Sequence, residues 1–350
     1  MDTLTHALSG ALLGRGVRLS SGLGLGERTL TGLVAAAFPD SDYALFWIDP
    51  LAFLNWHRGP THSLLLLPLW ALLLAVILAR LMKGGYPWQA FYGICALGIA
   101  AHIIGDVITL YGTKIFYPVT DNTFGLGITF DIDPYIAALI ALGFVASLVA
   151  RPQRVVVVTL VVLLGYVTVQ TVLYWQTVSV GRAYREQQDL SNAQVYALPQ
   201  PFSPFTWKVI ISHHDRYFVT HLNYLASKEP TLLPQDAWFL RRMIAAYRPP
   251  HALQWREHPR FGDTAAIRAT ARRVWQQERF AAFRQFAEFP VLYRVDYKNG
   301  EVCVWFTDLR HNFPALPPSF RYGMCRAASG EDWRLYRLRY FSVDDRQLLG

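Results

Sequence analysis

Ionisable side chains are scarce in the first half of this 350-residue chain. Residues 1–175 hold nine Lys/Arg and nine Asp/Glu, which cancel, whereas the remainder holds 24 and 16, so the whole excess of +8 belongs to the second half. That contrast argues against two soluble domains of one kind and points to a membrane domain followed by a soluble one. The runs Leu64–Leu78 and Ala137–Val149 contain no ionisable residue, which speaks against the polar path through the bilayer that a metal transporter needs. No Gly-x-Ser-x-Gly elbow occurs, so nothing marks an activated serine. The N-terminus lacks the basic region and cleavage pattern of a removed signal peptide, and none is expected. Cysteine occurs three times. Cys95 falls in an apolar run, and two cysteines in the second half, Cys303 and Cys325, leave their pairing open.

What the first half does have is apolar length. His62–Met82, Trp88–Tyr111, Pro134–Ala150 and Val155–Trp175 each approach the length that crosses ~30 Å of hydrocarbon at ~1.5 Å per residue, the third only barely. Four crossings are expected from these. Two shorter segments, Leu4–Gly14 and Leu30–Phe38, are joined by the Gly-rich loop Ser20 to Glu27 and ended by Pro39; a hairpin dipping into the membrane and two crossings both fit them. Arg15, Arg18 and Arg28, then Arg80 and Lys83, then Arg151 and Arg154 mark three loops as cytoplasmic by the positive-inside tendency. The alternate loops, Asp49–Thr61 and Gly112–Asp133, then face outward, as does the second domain. The expected architecture is an α-helical multi-pass membrane domain over residues 1–176, followed by a soluble extracytoplasmic α+β domain with an antiparallel sheet over 177–350.

Seven ionisable residues stand out because apolar surroundings make unpaired charge costly: His6, Asp40, Asp42, His57, His62, His102 and Asp106. All four histidines of residues 1–175 are among them. On the loop map they gather on the outer side. His102 and Asp106 are four apart, so one helix face presents an imidazole and a carboxylate together. Pro39-Asp40-Ser41-Asp42 puts two carboxylates in a break after an apolar helix, and His57-Arg58-Gly59-Pro60-Thr61-His62-Ser63 adds two imidazoles and a guanidinium. Each pair alone reads as a cap or a turn; their convergence reads as metal ligands. Seven donors exceed the four of one tetrahedral zinc site, which favours two or more divalent ions, zinc by ligand type, with manganese or iron also suited.

These residues resemble the pattern of the membrane-bound metal-dependent hydrolases, a bacterial inner-membrane group. Thr5-His6, Pro39-Asp40-Ser41-Asp42, the run from His57 to Ser63 and His102…Asp106 carry the resemblance, which covers about the first 135 residues. The second domain looks like that of the longer branch of that family. The ligand types are also similar to those of the zinc phospholipase C and nuclease P1 group, as an analogy of ligand chemistry. The resemblance implies a reaction class, hydrolysis, more than a substrate.

The residues themselves fit metal-assisted hydrolysis, since zinc lowers the pKa of a bound water from 15.7 to about 7. Arg58 suits a bidentate grip on an anionic substrate, or an interfacial arginine reaching to headgroups. Asp131 and Asp133 could add a ligand or general base, although Asp133 also stands where a cap belongs before Pro134. The expected substrate is an ester or phosphoester of a lipid or envelope component, reached laterally from the bilayer, with membrane lipid the expected partner and nucleic acid not. A metal transporter and a membrane-anchored assembly module are the alternatives; the second leaves the seven residues without a role.

In the second domain, Thr206–Ser212 and Tyr217–Tyr224 alternate around a turn at His213–Arg216. Val291–Tyr297 and Glu301–Thr307 flank Lys298-Asn299-Gly300, a type I′ signal. Trp333–Phe341 suggests another strand and Thr264–Phe286 a helix. No catalytic motif appears there, and the charge of +8 favours an anionic lipid surface or a solvated basic face.

Overall fold

The computed structural model describes residues 1–17, 22–228, 238–298, 300–327, 330, 332–340 and 342–349. The chain forms two compact units, one of residues 1–48, 56–174 and 199–204, the other of 49–55, 175–198 and 205–350.

The first unit is helical: α1 (Thr3–Gly16), α2 (Leu25–Ala37) and the short α3 (Ala44–Ile48), then, after α4 (Pro50–Trp56), which falls to the second unit but for its last residue, α5 (Leu67–Leu81), α6 (Gln89–Val107), α7 (Pro134–Val149) and α8 (Pro152–Gln187), the last continuing into the second unit. Asp2 caps α1 by accepting from the Thr5 amide. Helices α1 and α2 form a hairpin whose backbones nearly touch. A Cβ on Gly10 would lie 2.1 Å from the Gly32 carbonyl oxygen, and one on Gly32 equally close to that of Gly10. Small residues at this crossing let the two helices approach as membrane helices do. Helix α6 lies against both and buries Phe91, Ile94, Ile99 and Ile103, packing with Ala71, Leu74 and Leu78 of α5.

Among the described residues two helices, α6 and α8, are long and apolar enough to cross a membrane, and a third span results if the bent pair Pro50–His62 and Leu67–Leu81, with 79° between its halves, counts as one. Four crossings were expected; local chemistry shortens the first of them, and the third has nearly the bounds that were expected to be barely sufficient. Ser63 Oγ accepts from the Leu65 and Leu66 amides, holding residues 63–66 in a turn, so α5 starts at Leu67. Helix α7 spans 16 residues between its Asp133 cap and the break before Pro152. Both still expose apolar faces, Leu69, Leu73 and Ile77 on α5 and Leu142, Val145 and Leu148 on α7, as does α8 with Val157, Val161 and Leu164. Contiguous apolar surface of this extent calls for lipid or a partner to cover it.

The second unit contains two sheets. Strands β1 (Gln194–Pro199), β2 (Thr206–His213), β3 (Arg216–Asn223) and β4 (Arg256–Pro259) form one in sequence order. Strands β5 (Pro290–Lys298), β6 (Glu301–Asp308), β7 (Arg321–Ala327), β8 (Arg334–Leu338) and β9 (Arg346–Leu349) form the other. Strand β2 pairs antiparallel with β3 and β5 with β6, so both expected hairpins are present. His214 takes the left-handed conformation (φ 53°) in the first turn, and Gly300 does so (φ 70°) in the second, where Asn299 lies outside the described residues. After the short α9 (Phe239–Ala245), the single helix expected over Thr264–Phe286 is instead α10 (Ala265–Trp275) and α11 (Ala281–Phe286), parted at Gln277, whose backbone is extended (ψ 138°). The break lets Trp275, Phe280 and Phe283 all reach one core with Phe306 and Tyr322. Cys303 and Cys325, directly opposite on β6 and β7, form a disulfide.

Candidate metal centre

Four elements of the first unit end at one place. Helix α1 brings His6; the 3-10 turn Phe38–Tyr43 after α2 brings Asp40 and Asp42; the turn Pro60–His62 brings His62; the last turns of α6 bring His102 and Asp106. All six are buried. Within this set Asp40, His62, His102 and Asp106 each offer one ligand atom, and those atoms lie within 4.8 Å of one another.

The donor geometry fits a cation. His62 Nε2 and His102 Nε2 are 3.0 Å apart, and each is 3.3 Å from Asp106 Oδ2. Asp40 Oδ1 lies 3.8 Å from the first imidazole nitrogen and 3.6 Å from the second. Tetrahedral ligands at ~2.0–2.1 Å from zinc stand about 3.3 Å from each other, which matches these spacings. His102 Nδ1 is 2.6 Å from the Ala36 carbonyl oxygen, so it donates there and its Nε2 presents a lone pair to the centre. His62 Nδ1 lies 3.0 Å from Thr61 Oγ1 and 3.5 Å from Asp42 Oδ2. Two ring nitrogens therefore face each other and a carboxylate oxygen across a small gap. Asp106 Oδ2 is fully buried and makes no hydrogen bond. An orphaned buried carboxylate oxygen is costly, and a bound cation removes that cost.

The other candidates surround the four. Asp106 Oδ1 meets His6 Nε2 at 3.1 Å, a guanidinium nitrogen of Arg58 at 3.1 Å and the Met1 amine. The His6 ring stacks on His102 with centroids 3.6 Å apart. His57 Nδ1 is 2.9 Å from Asp42 Oδ1, while Asp42 Oδ2 accepts from the Arg58 amide at 3.0 Å. Arg58 itself is buried, with φ at 57°, an uncommon conformation for a side chain of this size. Its guanidinium donates to Thr109 Oγ1 at 2.9 Å, lies 3.6 Å from Asp131 Oδ1 and sits over the Tyr111 ring. So all seven sequence candidates and Arg58 come together, four as a donor set and the rest as its support. Among the described residues one such set is present, where seven donors had suggested more than one ion.

Asp133 is placed differently. Its Oδ1 accepts from the Tyr135 and Ile136 amides and its Oδ2 from the Tyr166 hydroxyl at 2.7 Å. Its carboxylate thus caps α7 and holds Tyr166, the cap reading of the two that the sequence offered. Ser63 donates to the Tyr117 carbonyl oxygen and has no imidazole base among its partners. Sequence reasoning missed Thr3, whose hydroxyl donates to Asp40 Oδ2 at 2.6 Å, and Tyr43, whose ring lies 4.6 Å from that of His57. Tyr43 stood one residue beyond the Asp40/Asp42 pair and was the more accessible signal.

No solved structure matches this chain. A protein of Bacillus subtilis (strain 168) described as uncharacterized protein YfhP is 25% identical over 185 residues, which cover 49% of this chain and 54% of that protein. The chain thus spans about half the length of the curated relative it matches. The family described as YdjM inner membrane protein matches residues 1–177, the whole stretch that carries the apolar helices and the Asp/His cluster. The chain belongs to the YdjM inner membrane protein family.

Proposed function

We propose that this protein is a membrane-embedded, metal-dependent hydrolase that cleaves an ester or phosphoester of a lipid or envelope substrate. The observation that carries the reading is the orphaned Asp106 Oδ2 facing two inward-aimed imidazole nitrogens at the spacing of a tetrahedral site. A divalent ion held by Asp40, His62, His102 and Asp106 would supply hydroxide from water at neutral pH and offset charge developing on the substrate oxygen. The chain provides the rest. His102 is fixed in its tautomer by Ala36, and Asp106 is turned by Arg58 and His6 so that one oxygen is left for the centre. Arg58 is best read as a positioning residue, because its guanidinium is engaged with Asp106, Asp131 and Thr109. A protein nucleophile is not required by this scheme. The zinc assignment rests on the mixed imidazole and carboxylate set, which manganese or iron would also accept.

We place the centre and the second domain on the extracytoplasmic side. The Arg/Lys loop bias supports this, as does the Cys303–Cys325 disulfide, which an oxidising compartment favours. A substrate with an acyl chain would then enter from the bilayer.

The test is metal analysis of purified protein next to lipid hydrolysis in nanodiscs. His62→Ala, His102→Ala and Asp106→Ala are each expected to reduce bound metal by about tenfold or more, and a chelator to abolish turnover of a phosphoester and ester lipid panel until zinc or manganese is returned. Full metal occupancy in all three variants would remove the metal centre. Metal loss with turnover unchanged would leave the centre standing and remove the hydrolytic role.

A further inference from the structure

In the second unit, strand register brings four basic side chains to one face of the four-stranded sheet. Lys208 on β2 is directly opposite His221 on β3, Val219 two residues earlier on β3 is opposite Arg256 on β4, and His258 follows two residues on. Side chains two apart on a strand, and those directly opposite on its neighbour, share a face. Like charges in such positions destabilise a sheet unless something offsets them. Lys208 is 1% exposed, and its amine donates to the Leu309 and Asn312 carbonyl oxygens at 2.7 and 2.6 Å. An ammonium has three protons, so one remains for another acceptor. His221 Nε2 is buried and has no hydrogen-bond partner. All four line a cavity of about 560 Å³, together with Arg242 and Arg248, and no carboxylate lines it among the described residues.

We propose that this cavity is a binding site for a phosphate group, with Lys208, His221, Arg256 and His258 as its donors. Burial pulls Lys208 down to about 7, and burial with cationic neighbours holds His221 well below its ordinary value and lowers His258. Asp308 offsets part of the charge on Lys208; a dianion would add to this and favour protonation of the two imidazoles, and the three strands offer donors from several directions, as a tetrahedral oxyanion requires. The volume accommodates a phosphate with an attached group. Either a phospholipid headgroup or a soluble phosphate has this chemistry. The site shares no residue with the metal centre and stands whether or not the hydrolase reading does.

Calorimetric titration of the full chain in detergent with inorganic phosphate tests the proposal. A saturable heat is expected, weakened by about tenfold or more in Arg256→Gln and in His258→Gln. Arg256 is exposed, so its replacement should leave the melting temperature unchanged and separate lost binding from lost fold. No saturable heat at millimolar phosphate overturns the proposal, and so does a smaller change in both variants, which would place the phosphate elsewhere, the metal centre included. The same titration in phosphatidylcholine nanodiscs with and without phosphatidic acid identifies the source. Competition by the acidic lipid makes the ligand a headgroup; its absence makes it a soluble phosphate.

Discussion

Asp106 ties distant parts of the chain together through two oxygens that do different work. Oδ1 is shared by Met1, His6 and Arg58, and Oδ2 faces His62 and His102. Such division leaves one oxygen for a cation while the other is held in place, which is how outer groups orient a ligand. Lys208 shows the opposite case, a charge kept under strain. Its pKa falls from 10.5 to about 7 in the folded chain because burial penalises the ammonium. Between those values the unfolded chain holds the proton and the folded chain does not, so stability should rise with pH, by at most about 1.4 kcal/mol per unit. Thermal melts of the full chain without phosphate, from about pH 7 to about pH 10, should therefore show a steeper rise for the parent than for Lys208→Met. Parallel curves would mean that Lys208 stays charged throughout.

At the scale of elements, the helices are bounded by specific residues. Asp133 and Pro134 start α7, and the carboxylate also carries Tyr166 from α8. Asp133→Ala should cost about 1 kcal/mol of stability, within the range for a lost cap, and more if the Tyr166 hydroxyl finds no other acceptor. Its metal content should equal the parent's. A loss of metal comparable to that of Asp106→Ala would return Asp133 to the centre. The division of the expected Thr264–Phe286 helix shows what composition cannot reveal. Its Ala, Arg and Gln favour helix throughout, yet burial of Trp275, Phe280 and Phe283 in one core outweighs continuing the helix through Gln277.

For the whole molecule, the loop charges predict which side of the membrane each part occupies. A reporter active only outside the cytoplasm should work when fused after Gly350 and be silent near Gly84, as the Arg/Lys loops require. The reverse pattern would move the centre and the second domain to the cytoplasm and leave the Cys303–Cys325 disulfide in a reducing compartment. The family match ends at residue 177, so the helical half carries the kinship and the cluster together, while the sheets of the second unit add a surface of their own.

Local pattern was enough to locate the apolar helices of the first half, because apolar runs and the positions of Pro and Gly act within a few residues, but not to count the crossings or to see the break at Gln277. It was enough for both hairpins, where alternation and turn residues set the register. It also singled out the seven ionisable residues, since each is expensive in apolar surroundings wherever the chain goes. Sequence could not divide them into four donors and their supports, because that depends on how closely α1, α2 and α6 pack, as where Gly10 and Gly32 meet and Gly98 lies against Ala35. Nor could it reveal the basic face of Lys208, His221, Arg256 and His258, whose members come from three strands and meet only through register. The cap role of Asp133 and the pairing of Cys303 with Cys325 were each one reading among several until the neighbouring strand or helix was in place. Composition and spacing fix what a residue costs to bury; the tertiary structure decides which partner offsets that cost.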